Sequence, residues 1–187
     1  MQSQELLNFI KSRRSIGNLV APAPTQAQIE QAIEVAMSAP DHKQLQPYRF
    51  VVLQNSALDE LGQALCQASL DQGETDERTL TKTLAMPRRA PMIIACMTNY
   101  REHDKVPHWE QLASTAAATQ NLLLALQALG YATVWRTGPL ANAAAVKTYF
   151  GLECDNQVVG FVYIGTPGTE LPPRAPVLVD DFIDYRG

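Results

Sequence analysis

Between Thr25 and Pro40 the apolar residues Ile29, Ala32, Ile33, Ala36 and Met37 recur at i, i+3, i+4, i+7 and i+8, one stripe on one helix face. Thr25 followed by Gln28 matches a capping box at the start of that helix. Pro40 ends it, because the residue before a proline avoids helical geometry. The same spacing predicts a first helix over about Ser3 to Ser12, with Leu6, Leu7 and Ile10 on one face. Ser3 is its expected N-cap, and Glu5 suits its positive end. Further helices are expected over Ala57 to Leu70, about Asp76 to Leu84, and Ala141 to Phe150. The longest runs from His108 to Leu129, carries no formal charge after Glu110 and stops at Gly130. A helix apolar nearly all round is buried in a core or in an interface.

Four strands are expected: Arg49 to Leu53, Met92 to Met97, Ala132 to Arg136, and Gln157 to Gly165. The unbroken apolar run of the second reads as a strand buried on both faces. Strands separated by helices predict one sheet flanked by helices, although periodicity leaves the strand order open. After Ser15 the chain loosens through Gly17 and Ala21-Pro22-Ala23-Pro24, and Asp71 to Arg78 is polar enough to be mobile. Pro167, Pro172, Pro173 and Pro176 make the tail extended rather than a core element.

Composition narrows the class. The chain has 187 residues, which predicts one domain over 1–187. Hydrophobic residues are 46% and charged residues only 18%, against about 25% charged in an average domain. That pattern excludes intrinsic disorder and leaves room for a large core or an oligomer interface. Net charge is −4 and no polybasic tract is present, so nucleic acid is not an expected partner. Gln111 to Trp135, the least charged stretch, is interrupted by too many polar residues for a membrane span. The N-terminal sequence is not a signal peptide. Cys66, Cys96 and Cys154 are odd in number and lack a CxxC pair, so they read as small core residues in a reducing compartment. The expected location is the cytoplasm.

The chain lacks a GxGxxG, a P-loop and a GxSxG elbow. His42, His103 and His108 do not fall at metal-ligand spacing, and no metal site is expected. Arg13-Arg14-Ser15, at the end of the first helix, reads two ways: cations against the helix dipole, or two guanidinium forks and a hydroxyl around a phosphate. The Asp41-to-Gln46 loop packs five hydrogen-bonding side chains into six positions, and such loops often carry function. Arg136, closing an apolar strand, needs an ion-pair or ligand partner.

Taken in order, Arg13-Arg14-Ser15, Ala39-Pro40-Asp41-His42-Lys43 with Gln46-Pro47, Lys105-Val106-Pro107 with Trp109-Glu110-Gln111, Trp135-Arg136 before Gly138, and Val159-Gly160-Phe161 with Gly165-Thr166-Pro167 resemble the FMN-dependent nitroreductase family. The likeness covers nearly the whole chain and is strongest to the small bacterial YdjA-type members. It implies an α+β, three-layer fold with a central, largely antiparallel sheet, and a homodimer with FMN at the subunit interface. Carried over by position, Arg13, Arg14, Ser15, Ser38, His42, Trp135, Arg136 and Thr137 are implied FMN contacts. Ala125, Leu126, Gln127, Ala128, Leu129 and Gly130 match a stretch assigned to nicotinamide binding, although it holds no charge to meet a phosphate. Asp41, His42, Gln44 and Tyr48 stand where broader members carry two serines, Asn and Trp. Ser38 replaces an Arg found in some relatives, and Arg174 is the one tail cation near the family's basic ending.

The activity implied is an NAD(P)H-dependent FMN oxidoreductase, acting on nitroaromatics, quinones or similar acceptors by a ping-pong mechanism. No side-chain nucleophile is required. A cation at the flavin's N1–C2=O edge favours the reduced form, and Arg14, Lys43 and Arg136 are the candidates. A flavin-binding module with a storage or sensing role is the alternative that the Ser38 and Gln44 departures motivate.

Overall fold

A computed structural model describes residues 2–153, 155–172, 175 and 177–187. The elements run α1 (Ser3–Ser12), β1 (Leu19–Val20), α2 (Gln26–Ala36), β2 (Tyr48–Gln54), α3 (Ser56–Asp71), α4 (Glu77–Leu84), β3 (Met92–Thr98), α5 (His108–Ala128), β4 (Ala132–Arg136), α6 (Ala144–Phe150) and β5 (Val158–Pro167). Short 3₁₀ turns occupy His42–Gln44, Met86–Arg89, Pro139–Asn142 and Val179–Phe182. Most expected elements stand within a few residues of their predicted bounds. β1 is additional, formed where the chain was expected to loosen. α6 begins three residues late, because Pro139–Asn142 forms a separate turn. The N-cap of α1 is Gln2 rather than Ser3, and its backbone N–H donates to Glu5 Oε2 at 2.9 Å.

The sheet order is β1-β5-β3-β2, with β4 also paired to β5, and every strand pair is antiparallel. Side chains alternate across the sheet, so each face has its own core. Leu53, Ile93, Ala95, Met97, Phe161 and Tyr163 pack against α3 and α6. Met92, Ile94, Cys96, Val162 and Ile164 pack against α2 and α5. The result is three layers, with β3 buried at every residue. Cys96 is in the second core, and burial pushes its thiol up to about 12; Cys66 is half-buried, and Cys154 lies outside the described residues.

Two features of α5 anchor loops. Gln111 is buried because its amide is used up: Oε1 accepts from the Arg101 N–H at 2.9 Å, and Nε2 donates to the Arg101 and Val106 carbonyls. Thr115 Oγ1 donates to the Pro47 carbonyl at 3.0 Å, fixing the end of the Asp41 loop. Among the described residues, no helix is long and apolar enough to cross a membrane.

Candidate functional site

After α1 the backbone becomes extended at Arg13 and runs beside β4, where Ser15 bridges to Thr133 and the Ile16 N–H donates to the Thr133 carbonyl at 3.0 Å. In extended chain, successive side chains face opposite ways. Arg13 and Ser15 therefore share a cavity of about 300 Å³ with Gln120, Leu123, Trp135 and Thr137. Arg14 leaves on the other side. Its Nη1 donates to the Pro172 carbonyl at 2.6 Å, beside a separate cavity of about 260 Å³.

The same alternation splits the second motif. Trp135 and Thr137 face the Arg13 cavity, and Arg136 crosses to the opposite face. There it enters a chamber of about 400 Å³ whose walls include Leu65, Met86, Leu140 and Phe161. Its guanidinium carbon stands 5.6 Å from the centre of the Tyr163 ring. Its Nε is buried and finds no hydrogen-bond partner among the described residues. Tyr163 is itself buried, which pushes its phenol above the ordinary range; the positive charges of Arg136 and Arg89 pull against that shift. Thr137 lines both cavities, and Gly138 lines the larger one. Gly138 has φ 148°, a backbone conformation that side chains rarely tolerate, and a Cβ there would point into open space.

Gly160 explains part of the Val-Gly-Phe motif. A Cβ at this position would come within 1.9 Å of Trp135 Nε1, so the indole lies against β5 only because the residue is glycine. The indole N–H donates to the Val159 carbonyl at 3.3 Å, which fixes Trp135 as a wall of the Arg13 cavity.

Ser38 and His42 lie elsewhere along α5. Ser38 Oγ donates to the Val35 carbonyl at 2.7 Å and accepts from Asn121 Nδ2 at 3.4 Å. His42 Nδ1 is 2.7 Å from Glu110 Oε2. The loop between Asp41 and Pro47 is strained: Lys43, Gln44 and Gln46 have φ of 66°, 54° and 50°, all left-handed and none glycine. The Asp41 carboxylate holds it by accepting from the Leu45 N–H at 3.1 Å and the Gln46 N–H at 2.7 Å.

One chain thus brings together Arg13, Ser15, Trp135 and Thr137, and leaves Arg14, Arg136 and the Ser38–His42 loop in three other places. In the 125–130 stretch, Ala125 and Leu126 are core. Gln127 Nε2 ties α1 down through the Phe9 carbonyl and Ser12 Oγ, and Gly130 takes the left-handed turn that ends the helix. Of this stretch, Gln127 and Gly130 line a cavity, the one beside Arg14. Arg89 and Tyr163 went unremarked in the sequence. Tyr163 looked like one more apolar-strand residue, and Arg89 stands next to Arg88, from which only tertiary contacts distinguish it. Arg174 lies outside the described residues.

The donor set asks for an anionic group near Arg13 and Ser15, and for an acceptor-rich, largely apolar body toward Arg136. Residues 10–166 match the Nitroreductase family model. A protein of Escherichia coli K12 named "Putative NAD(P)H nitroreductase YdjA" is 35% identical, over 97% of this chain and 99% of its own length. A protein of Haemophilus influenzae named an NAD(P)H nitroreductase in the same terms is 38% identical over the same shares. Among solved structures, a nitroreductase-like family protein from Bacillus cereus superposes with a TM-score of 0.84 at 21% identity, covering 100% of this chain and 98% of that one. The FMN-dependent nitroreductase NfnB from Mycobacterium smegmatis, solved in complex with NADPH, gives 0.74 at 18% identity, with 99% of each chain covered.

Proposed function

The chain belongs to the nitroreductase family, and from that premise we propose that it is a single-domain FMN-dependent oxidoreductase of the cytoplasm. It takes reducing equivalents from NAD(P)H and passes them, in ping-pong fashion, to nitroaromatic, quinone or similar acceptors. The observation that carries the reading is the pair of cavities at Thr137. A polar cavity holding Arg13 and Ser15 shares Thr137 with a largely apolar chamber where the buried Arg136 Nε lacks a partner among the described residues. A ligand with an anionic tail and a flat, acceptor-edged ring satisfies both ends.

Bound FMN supplies the redox chemistry, accepting two electrons from the nicotinamide and releasing them to the acceptor. The residues supply binding and electrostatics. Arg13 and Ser15 would hold the phosphate through a charge-assisted pair of donors. Trp135 walls the Arg13 cavity, and Gly138, with open space where a side chain would stand, would leave room for the ring beside the backbone. Of the three candidate cations for the ring's polar edge, Arg14 is engaged by Pro172 and Lys43 lines a different cavity, with Glu102 and Asp104. Arg136 is left for that role.

Ser38 and His42, expected FMN contacts, lie away from the Arg13 cavity of their own chain, so in a homodimer they would be available to the partner's cofactor. Two exposures support a dimer. α1 has no buried residue and leaves Leu6, Leu7 and Ile10 open, and Leu178, Phe182 and Tyr185 of the tail are uncovered. An apolar stripe of this kind is covered when a second copy docks. The free thiols of Cys66 and Cys96 suit a reducing compartment.

The test is the visible spectrum of the purified protein before and after anaerobic NADPH, then NADH. A flavin spectrum that bleaches, and returns on adding a nitroaromatic or quinone, is the expected result. Bleaching with no acceptor-dependent turnover marks a storage or sensing module instead. Absence of flavin, with no uptake of added FMN, overturns the reading.

A further inference from the structure

The chamber behind Thr137-Gly138 has an unusual electrostatic lining. Two guanidiniums, the exposed Arg89 and the half-buried Arg136, approach the same buried tyrosine, and among the described residues no carboxylate lines the cavity. Neither arginine has an ion-pair partner among the described residues, and the Tyr163 hydroxyl has no hydrogen-bond partner among them either. The contrast with Arg88 is direct. Arg88 Nε and Nη2 grip both carboxylate oxygens of Asp59 on the outside of α3, so two adjacent arginines have separate destinations. The backbone that aims Arg89 is well held: it ends the 3₁₀ turn Met86–Arg89, between buried Pro87 and buried Ala90, just before β3. Arg136 is fixed from the opposite wall by the Tyr163 ring and by β4. Like charges gathered without a counter-charge repel one another, and the arrangement gains when negative charge arrives between them. Hydride delivery from a reduced nicotinamide does this. The donor becomes one unit more positive, and the acceptor ring gains two electrons and one proton, hence one negative charge.

We propose that Arg89 acts with Arg136 as a guanidinium pair lining the chamber, holding the charge that two-electron reduction adds to the bound flavin. The assignment rests on the cofactor reading above and adds a residue to it. Arg89 then stabilises the reduced state more than the oxidised state, so it sets the cofactor's potential rather than its uptake. Tyr163 is a positioning residue, whose ring face holds the Arg136 guanidinium.

The experiment uses the FMN-loaded protein and two readouts: the midpoint potential of bound FMN from an anaerobic reductive titration, and the Kd of oxidised FMN from fluorescence. Arg89→Ala is expected to weaken reduced relative to oxidised FMN by about tenfold or more, a fall of about 30 mV or more for a two-electron couple. Its Kd for oxidised FMN changes by less than about threefold, and Arg89→Lys recovers at least half of the potential. Arg88→Ala leaves the potential at the wild-type value. An Arg89→Ala potential equal to wild type overturns the proposal, as does an equal loss of affinity for both redox states. A shift in Arg88→Ala as large as in Arg89→Ala overturns it too, since charge anywhere nearby would then suffice. Failure of the wild-type protein to take up FMN overturns the cofactor reading first, and the pair with it.

Discussion

Trp135 on β4 lies against Gly160 on β5, and the space between them is smaller than a methyl group: a Cβ at position 160 would stand 1.9 Å from the indole nitrogen. Gly160→Ala is therefore expected to expel the indole from its seat. Overpacking of this kind costs about 1–3 kcal/mol, read as a lower urea midpoint. Loss of the cavity wall also raises the Kd for FMN. In a Trp135→Ala background the same alanine at 160 should cost far less, because the clash partner is gone; equal costs in both backgrounds would refute the packing argument.

The two arginines after α1 should separate cleanly in a binding assay. Arg13→Ala removes a charged donor from the Ser15 cavity, and hydrogen bonds to charged groups contribute about 1.5–3 kcal/mol. That corresponds to a loss of FMN affinity of roughly tenfold or more. Arg14→Ala breaks the contact to the Pro172 carbonyl and should change FMN affinity by less than about threefold, while making the tail easier to cleave by protease. The reverse ranking would reassign the phosphate to Arg14.

The Asp41 loop stores strain that one carboxylate restrains. Asp41→Ala frees the Leu45 and Gln46 N–H groups and lets three left-handed residues relax. A loss of about 1–2 kcal/mol is expected. Lys43→Gly in the wild-type background should offset part of the intrinsic strain without disturbing the carboxylate. Thermal melting of the two variants, with opposite signs, checks both statements; a stable Asp41→Ala protein would show that the loop is held by other contacts.

Alkaline pH should destabilise the fold in a way traceable to one thiol. Cys96 is neutral when folded up to about pH 12, against an ordinary value of 9.0. Between those values the unfolded chain releases a proton that the folded chain keeps. Stability is therefore fully present below about pH 9 and falls as pH rises, by up to about 1.4 kcal/mol per pH unit for this group. Tyr48, Tyr149 and Tyr163 are also raised by burial and add the same sign at higher pH. Cys96→Ala should flatten the slope of denaturation midpoint against pH from about 9 upward. The same burial predicts that a thiol reagent at pH 8 leaves Cys96 unmodified until the protein unfolds; rapid labelling of the native protein would contradict it.

Much of the fold was legible because the apolar spacing is strong. The stripe Ile29, Ala32, Ala36 is buried against α5, the apolar run Met92 to Met97 is covered on both faces, and Gly130 ends the long helix. β1 could not be read, since two residues carry no period and Leu19–Val20 is a strand only because β5 lies beside it. The site was legible as a set of motifs but not as a place. Residue order put Arg13, Arg14 and Ser15 together, while extended backbone sends the middle one away; the same holds for Trp135, Arg136 and Thr137. Period-two reasoning applied to those triplets would have revealed the split. Arg89 was beyond reach, because what separates it from Arg88 is Asp59, twenty-nine positions earlier in the chain.

β5 pairs with β1, β3 and β4 at once, which makes residues 158–167 the keystone of the sheet. During synthesis, β1 and β4 have no strand beside them until that segment leaves the ribosome, and β3 has only β2. The half-made protein thus presents the apolar β3 edge to neighbouring chains while residues 99–167 are made. Its solubility in a cell should depend on how quickly those ten residues are made, and on a holdase chaperone to shield β3 in the interval.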